Sequence, residues 1–292
     1  MWTTASTLAS GPLRSPSGGP EIRGFRTTLG SPGGVASGHG AGRLRPDGAR
    51  LRAGPGPSWG GEGGLAAGDR ALGAGGGGRG APVLDLGAGT GQFAAAIAGW
   101  FGVEVVAVEP SEGMQAQAAR AHPHPAVRWV AGRAERLPLR EGVVAWAWVS
   151  TVVHHLDDLD AAAAELGRVL RPGGVVLVRQ AFPGRMEHIT LYERFFPAAG
   201  ARLAGALPGV ERVAAAFAGA GFREEALRSV AQVSAASLAA YRDRVRLRAD
   251  TGLAWLPDDQ FAAGLAALDR AVEAETVPVP VVDRLDLLVL RR

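Results

Sequence analysis

The chain has no cysteine and, among its 31 basic residues, no lysine. Without a thiol it has no disulfide framework, no cysteine nucleophile and no cysteine-ligated metal, a pattern that fits a reducing, cytoplasmic compartment. The six histidines are scattered, and His122 and His124 flank Pro123 in a turn, so no metal site is expected. No run approaches the roughly 18 apolar residues of a membrane helix. The first residues also lack the apolar core of a secretory signal, so no membrane association is expected. Net charge is small as well, at +3. Residues 1–80 hold nine arginines against four acids, and the remainder holds 22 against 24. A near-neutral remainder offers no basic face for nucleic acid.

A length of 292 residues allows one large domain, or one domain with tails. Residues 1–80 contain 24 of the 43 glycines and 7 of the 19 prolines, with no helical or strand period. Such a segment buries too little apolar surface to offset its ordering entropy, so a disordered tail is expected there. Its arginine, serine and threonine content faintly resembles a transit peptide. A flexible tail, or a start assigned too far upstream, is the preferred reading.

From Ala81 onward, apolar strand patterns alternate with helical ones, which predicts a parallel α/β sheet. Strands are expected near 83–86, 103–109, 127–131, 143–149, 174–181, 226–234 and 283–290. Two insertions interrupt the alternation, at about 182–207 and 235–280. The second reads as two helices, Ser237 to Ala249 and Asp258 to Glu275. Residues 81–292 are therefore read as one domain.

The most informative stretch is Val83-Leu84-Asp85-Leu86-Gly87-Ala88-Gly89-Thr90-Gly91. A buried strand runs into a glycine turn, and Gln92 to Trp100 then read as a helix, so backbone can approach a ligand closely at the junction. A dinucleotide fingerprint needs its third glycine at position 92, which is Gln92 here. Asp85 also suits a cationic ligand better than a pyrophosphate, which disfavours an NAD-dependent oxidoreductase. Further on, Val105-Val106-Ala107-Val108-Glu109 is an apolar strand ending in an acid, with Ser111 placed to cap the next helix. A third strand leads into Gly132-Arg133-Ala134-Glu135-Arg136-Leu137-Pro138-Leu139. The fourth ends in Ser150-Thr151-Val152-Val153-His154-His155-Leu156. A helix followed by Arg171-Pro172-Gly173-Gly174 precedes the fifth.

These motifs, in this order, resemble the class I S-adenosylmethionine (SAM)-dependent methyltransferases, and in particular their small-molecule branch of the methyltransferase type 11 kind. The resemblance is specific to about Arg179 and only topological beyond it. It implies a Rossmann-like seven-stranded, mostly parallel sheet in the order 3-2-1-4-5-7-6, with the last strand antiparallel and the insertions forming a helical cap over the substrate. SAM is the cofactor it implies. Asp85 would then orient the methionine ammonium, and the loop of Gly87, Ala88, Gly89 and Gly91 would cradle the cofactor. Glu109 would accept the ribose hydroxyls and Met114 would face the adenine. Ala134, through its N–H, and Glu135, as acceptor, would bind the adenine edge, and Ser150 would line the cofactor.

Methyl transfer from a sulfonium is an in-line displacement that needs mainly alignment and water exclusion. A base is needed only where the acceptor loses a proton. His155 is the candidate base, with His154 beside it; on a helix, adjacent residues point about 100° apart, so at most one faces the pocket. Glu187, His188 and Tyr192, in the first insertion, are candidate substrate contacts, and Phe195, Phe196 and Trp255 candidate pocket lining. Trp146 and Trp148 are expected to pack beneath a sheet face. Arg242, Arg244, Arg246 and Arg248 are read as a solvated helix face. Two positions depart from the family pattern: Arg133, where relatives carry an acid and which only donates hydrogen bonds, and Ala145, where an aspartate is usual. The expected activity is methylation of a small molecule at oxygen, nitrogen or carbon; a non-catalytic, partner-binding relative is the alternative, and oligomeric state is left open.

Overall fold

The computed structural model describes residues 80–248 and 250–292, so the tail expected over residues 1–80 lies almost entirely outside the described residues. Seven strands form one sheet: β1 (Val83–Leu86), β2 (Val105–Val108), β3 (Val127–Val130), β4 (Val144–Ser150), β5 (Leu170–Gln180), β6 (Arg223–Ala235) and β7 (Val281–Arg291). Their order is β3-β2-β1-β4-β5-β7-β6, as the family resemblance implies. Strands β1 to β5 pair in parallel, while β7 runs antiparallel to both β5 and β6.

Helices cover both faces, which is why β1 is buried at all four positions and reads as a continuous apolar run. Leu84, Leu86, Ala147, Val149, Val176, Val178, Leu288 and Leu290 pack toward α3 (Leu159–Val169) and α5 (Val210–Gly219). Val83, Trp148, Leu287 and Val289 pack with α1 (Gln92–Phe101) on the other face. The two strand tryptophans sit under α1 as expected: Trp148 lies 5.1 Å from Phe93 and Trp146 5.9 Å from Phe101, centroid to centroid. Helix α1 ends on Gly102, whose left-handed backbone returns its N–H to the Ala98 carbonyl. Helix α3 starts at Leu159, where the Asp158 carboxylate caps it by accepting the Ala161 N–H at 2.9 Å. Strand β5 starts earlier than expected: Leu170 pairs with Val144, and a register shift then accommodates the Arg-Pro-Gly-Gly turn.

The insertions leave the sheet at the carboxyl ends of β5 and β6. They contain α4 (Pro197–Ala206), α6 (Leu238–Val245), α7 (Thr251–Ala254) and α8 (Asp258–Ala274), together with a π-turn over Leu191–Phe195. They share a core of their own, in which Tyr192, Phe195, Phe196, Leu203, Tyr241, Leu253 and Leu268 meet Ala235, Val281 and Leu285 from the strand ends. The second insertion holds three helices rather than the two expected. Its first helix stops at Val245, and Arg248 adopts a positive φ of 48° that ends the segment.

The arginine run is not the solvated face that its spacing suggests. Arg246 reaches Asp269 on α8 at 3.0 Å, and Arg244 donates to the Ser234 carbonyl. Arg248 donates to the Leu253 and Leu256 carbonyls, pairs with Asp258 at 2.6 Å and lies over the Phe261 ring. A spacing of two distributes charge around the helix, and α8 and the end of β6 supply partners on several sides. No helix among the described residues is long and apolar enough to cross a membrane.

Candidate active site

The site lies at the carboxyl ends of the parallel strands. After β1 the chain turns through Gly87, Gly89 and Gly91, with φ of 67°, 55° and 81°, a region that side-chain-bearing residues rarely adopt. Two of the three are also sterically clamped. A Cβ on Gly87 would lie 2.4 Å from Val152 Cγ2, and one on Gly91 would lie 2.7 Å from Trp129 Cζ2. At Gly89 the nearest atom, Met114 Sδ, is 3.8 Å away, so the middle of the loop is open and Met114, 36 % exposed, stands beside it. The N–H groups of Gly87 and Ala88 both donate to the Val108 carbonyl, which ties the loop to the tip of β2.

Glu109, at that tip, is buried. One carboxylate oxygen accepts the Gly89 N–H at 3.0 Å and the other the Ser111 N–H at 2.9 Å. The carboxylate thus joins the glycine loop to the start of α2 (Glu112–Ala121), which Ser111 caps as expected. Each oxygen retains acceptor capacity for a hydroxyl. Asp85, inside β1, is 2 % exposed, and its Oδ2 is enclosed without a hydrogen-bond partner. Burial pushes its carboxyl up to about 7; the Ala94 N–H opposes this shift, and the nearby Glu109 charge adds to it.

The loop after β3 is held by α3. Glu165 accepts the Leu137 N–H at 2.7 Å, and Arg168 donates to the Leu137 and Leu139 carbonyls. Ala134 is buried in this loop. Glu135 accepts the Asp157 N–H at 2.9 Å and lies 3.5 Å from Arg133. Burial alone would raise the Glu135 carboxyl, but neighbouring N–H groups and the Arg133 guanidinium outweigh it and hold it below its ordinary value. Arg133 points outward to Asp157, with its side chain 56 % exposed. The other departure from the family pattern, Ala145, sits near the amino end of β4, where its N–H donates to the Pro82 carbonyl, far along the strand from the site.

At the tip of β4, the Ser150 hydroxyl accepts from Arg179 at 3.0 Å, and Thr151 holds a positive φ of 55°. Such backbone strain in a non-glycine residue is concentrated at functional turns. The following turn, Val153–His155, brings the two histidine rings together, with centroids 3.9 Å apart and planes tilted by 45°. His155 is exposed, whereas His154 is half-buried with Nδ1 enclosed. Burial, and then the His155 charge, pull His154 down to about 4. Of the candidate substrate contacts, Glu187 and His188 lie in a short turn over Met186–His188, and Tyr192 is buried in the cap, donating to Asp250. Phe195 and Phe196 line a cap cavity of about 340 Å³, which Trp255 does not.

Sequence reasoning passed over Arg179 and Gln180. Arg179 is 8 % exposed, donates to Ser150 and Gln232, and lies 5.4 Å over the Phe93 ring. Gln180 is 2 % exposed. A polar pair ending an apolar strand was the available signal.

A methyltransferase-domain family model matches residues 84–178. Residues 84–178 thus match the domain family that the motifs suggest. Over 93 residues the chain is 40 % identical to a ubiquinone/menaquinone biosynthesis C-methyltransferase of Rubrivivax gelatinosus, covering 32 % of this chain and 36 % of that protein. Over 129 residues it is 36 % identical to a malonyl-[acyl-carrier protein] O-methyltransferase of Serratia marcescens, covering 42 % and 47 % respectively. The chain thus spans about half or less of the length of these curated relatives. A solved structure from Anabaena variabilis, assigned as a methyltransferase of an antibiotic biosynthesis pathway, shares the fold with a TM-score of 0.53 and 24 % identity, over 72 % of this chain and 91 % of that one.

SAM is the cofactor of this domain family, and the residues present fit it. An enclosed, unpartnered carboxylate oxygen on Asp85 suits a cation, Glu109 is a preset acceptor of hydroxyls, and the loop at Gly89 is open enough to admit a ligand.

Proposed function

We propose that this chain is a SAM-dependent methyltransferase acting on a small molecule. The observation that carries the reading is the orphaned Asp85 Oδ2 in β1 together with the braced Glu109 carboxylate after β2, joined by the loop of the open Gly89. Bound there, SAM supplies an electrophilic methyl group on a sulfonium. Asp85 holds the cofactor's ammonium, and Glu109 accepts the ribose hydroxyls without moving, because two backbone N–H groups already fix its position. Gly87 and Gly91 lock the loop so that its backbone lies against the ligand. Ala134 and Glu135 border the adenine, Ser150 lies beneath the reacting end, and Met114 packs over the cofactor.

For an acceptor that must lose a proton, His155 is the exposed base at the tip of β4, while His154, held neutral by burial, offers one hydrogen-bond donor and one acceptor near pH 7. The cap over the same strand ends excludes water and encloses a small acceptor; it leaves little room for a duplex or a folded protein. The relatives named above act at carbon or oxygen of small or carrier-bound acceptors by their names, which supports a small-molecule substrate.

The test is calorimetric titration of the full chain with SAM, S-adenosylhomocysteine and NAD. Saturable binding of the first two and not of NAD is expected. Glu109→Ala should weaken both by roughly 10- to 100-fold, since two charge-assisted hydrogen bonds are lost. Equal affinity in wild type and variant would refute the assignment of Glu109.

A further inference from the structure

Among the described residues, the buried side-chain polar atoms that lack a hydrogen-bond partner belong to four side chains: Asp85, Trp148, His154 and Gln180. All four lie on β1, β4 or β5 or on the turn after β4. Trp148 is level with Asp85 across the β1–β4 pair. Native structures leave few such groups, so each calls for an explanation. Asp85 and Trp148 lie on the α1 face with Phe93, whereas Gln180, next to Arg179 along β5, lies on the other face.

Gln180 is the most demanding of the four. It ends β5, is 2 % exposed, and both its Nε2 and its Oε1 are enclosed and unmatched. An amide in that state leaves both its donor and its acceptor functions unmet, at a cost that its apolar neighbours Val178 and Phe182 do nothing to offset. Its surroundings show that it is not part of an internal network. Across the β5–β7 pair it is level with Asp286, whose two oxygens are both taken by Arg185 at 2.7 Å. Arg179, one residue earlier, points to the opposite face of the strand and lies over Phe93. On the β4 side, Ser150 pairs with Arg179, so Thr151, the strained residue, lies level with Gln180. The turn carrying His154, with its own enclosed Nδ1, follows two residues later. The first cap insertion begins immediately after Gln180, so the amide stands where the sheet tip meets the cap.

We propose that Gln180 is the specificity-determining residue for the methyl acceptor, and that the acceptor presents a hydrogen-bond donor beside an acceptor, such as a hydroxyl or N–H next to a carbonyl. A primary amide offers N–H and C=O side by side and is matched by the complementary pair. A carboxylate has acceptors only and would leave Oε1 unmet, and a hydrocarbon would leave both atoms unmet. A site built to hydrogen-bond its ligand discriminates strongly against analogues lacking the matching groups, because its own polar atoms are then stranded.

This inference rests on the methyltransferase reading, and its test separates the two. The full chain, saturated with S-adenosylhomocysteine, is titrated with salicylamide, which carries a hydroxyl beside a carboxamide, and with 2-methylphenol, which keeps the hydroxyl alone. The wild type should bind salicylamide roughly 10- to 100-fold more tightly, the range that one or two buried hydrogen bonds supply. In Gln180→Met, of similar length and without polar ends, that preference should fall to within about threefold, with S-adenosylhomocysteine affinity unchanged and the thermal midpoint equal or higher. Gln180→Glu keeps the length and should retain an intermediate preference. An undiminished preference in Gln180→Met, no preference in the wild type, or a lowered midpoint in Gln180→Met would overturn the proposal; the last would show that the amide serves the fold. Failure of the wild type to bind S-adenosylhomocysteine would instead refute the cofactor reading and, with it, this inference.

Discussion

Asp85→Asn tests the cofactor site through stability. The Asp85 carboxyl has an ordinary value of 3.8 and is raised to about 7 in the folded chain, chiefly by burial. Between about pH 4 and pH 7 the native carboxyl keeps a proton that the unfolded chain has released, so this group makes stability fall as pH rises across that window. The full loss, present above about pH 7, is roughly 4 kcal/mol, from about 1.4 kcal/mol per pKa unit. Asparagine keeps the shape and removes the charge, though its amide N–H is left unpaired at a cost of about 1–2 kcal/mol. The net expectation at pH 8 is a variant more stable than the wild type by roughly 2–3 kcal/mol, a midpoint gain of several degrees, while near pH 4 that advantage vanishes. SAM at high saturation should close this gap. At 100 times its dissociation constant it stabilises the wild type by about 2.7 kcal/mol, whereas the variant, without the carboxylate that holds the ammonium, gains little. The assay is urea unfolding of both chains at pH 4.5 and pH 8, with and without SAM. A variant less stable than the wild type at pH 8 without cofactor would refute the reasoning, because it would make Asp85 a structural hydrogen-bonding residue and not a ligand for a cation.

Other substitutions probe the frame around the site. Gly91→Ala combines a φ of 81° with a 2.7 Å approach to Trp129; it should destabilise the chain by about 2–4 kcal/mol in thermal unfolding and weaken SAM binding in parallel. Tyr192→Phe removes the hydrogen bond to Asp250 within the cap. A loss of about 1 kcal/mol in urea unfolding is expected, with SAM affinity unchanged, since the cap core is separate from the glycine loop. His154→Gln should leave the pH profile of turnover between pH 5.5 and 8 unaltered, because burial already holds His154 neutral there at about 4; disappearance of an ionisation in that range would reassign the base from His155.

Much of this molecule is legible in the order of its residues. Strand β1 and the glycine turn announce themselves because a strand buried on both faces must be apolar and a left-handed turn needs glycine. Asp85 and Glu109 stand out as acids at the ends of apolar runs. The strand order came from family resemblance, since spacing alone does not say that β7 slots between β5 and β6. What stayed hidden depends on distant partners. The carboxylate of Glu109 braces Gly89 from 20 residues away, Arg179 meets Gln232 across 53, and Arg185 reaches Asp286 across 101. The arginine run read as solvated because its local pattern carries no trace of α8 or of the carbonyls at the end of β6. Gln180 passed unnoticed for a similar reason: a polar residue at a strand end ordinarily meets water, and this one is buried.

The insertion of β7 between β5 and β6 has a consequence in time. Strand β6 has no sheet partner except β7, and the cap core draws on Ala235 from one and on Val281 and Leu285 from the other. While a ribosome makes the chain, β6 emerges first and waits through the cap helices, roughly 2–10 s at ordinary elongation rates. During that interval its 13 residues are an unpaired ribbon that can pair wrongly with a neighbouring nascent chain. When β7 arrives, it completes the sheet and seats the cap in a single event. A nascent chain stalled before Val281 would therefore hold a finished glycine loop beneath a cover that has nothing to close upon.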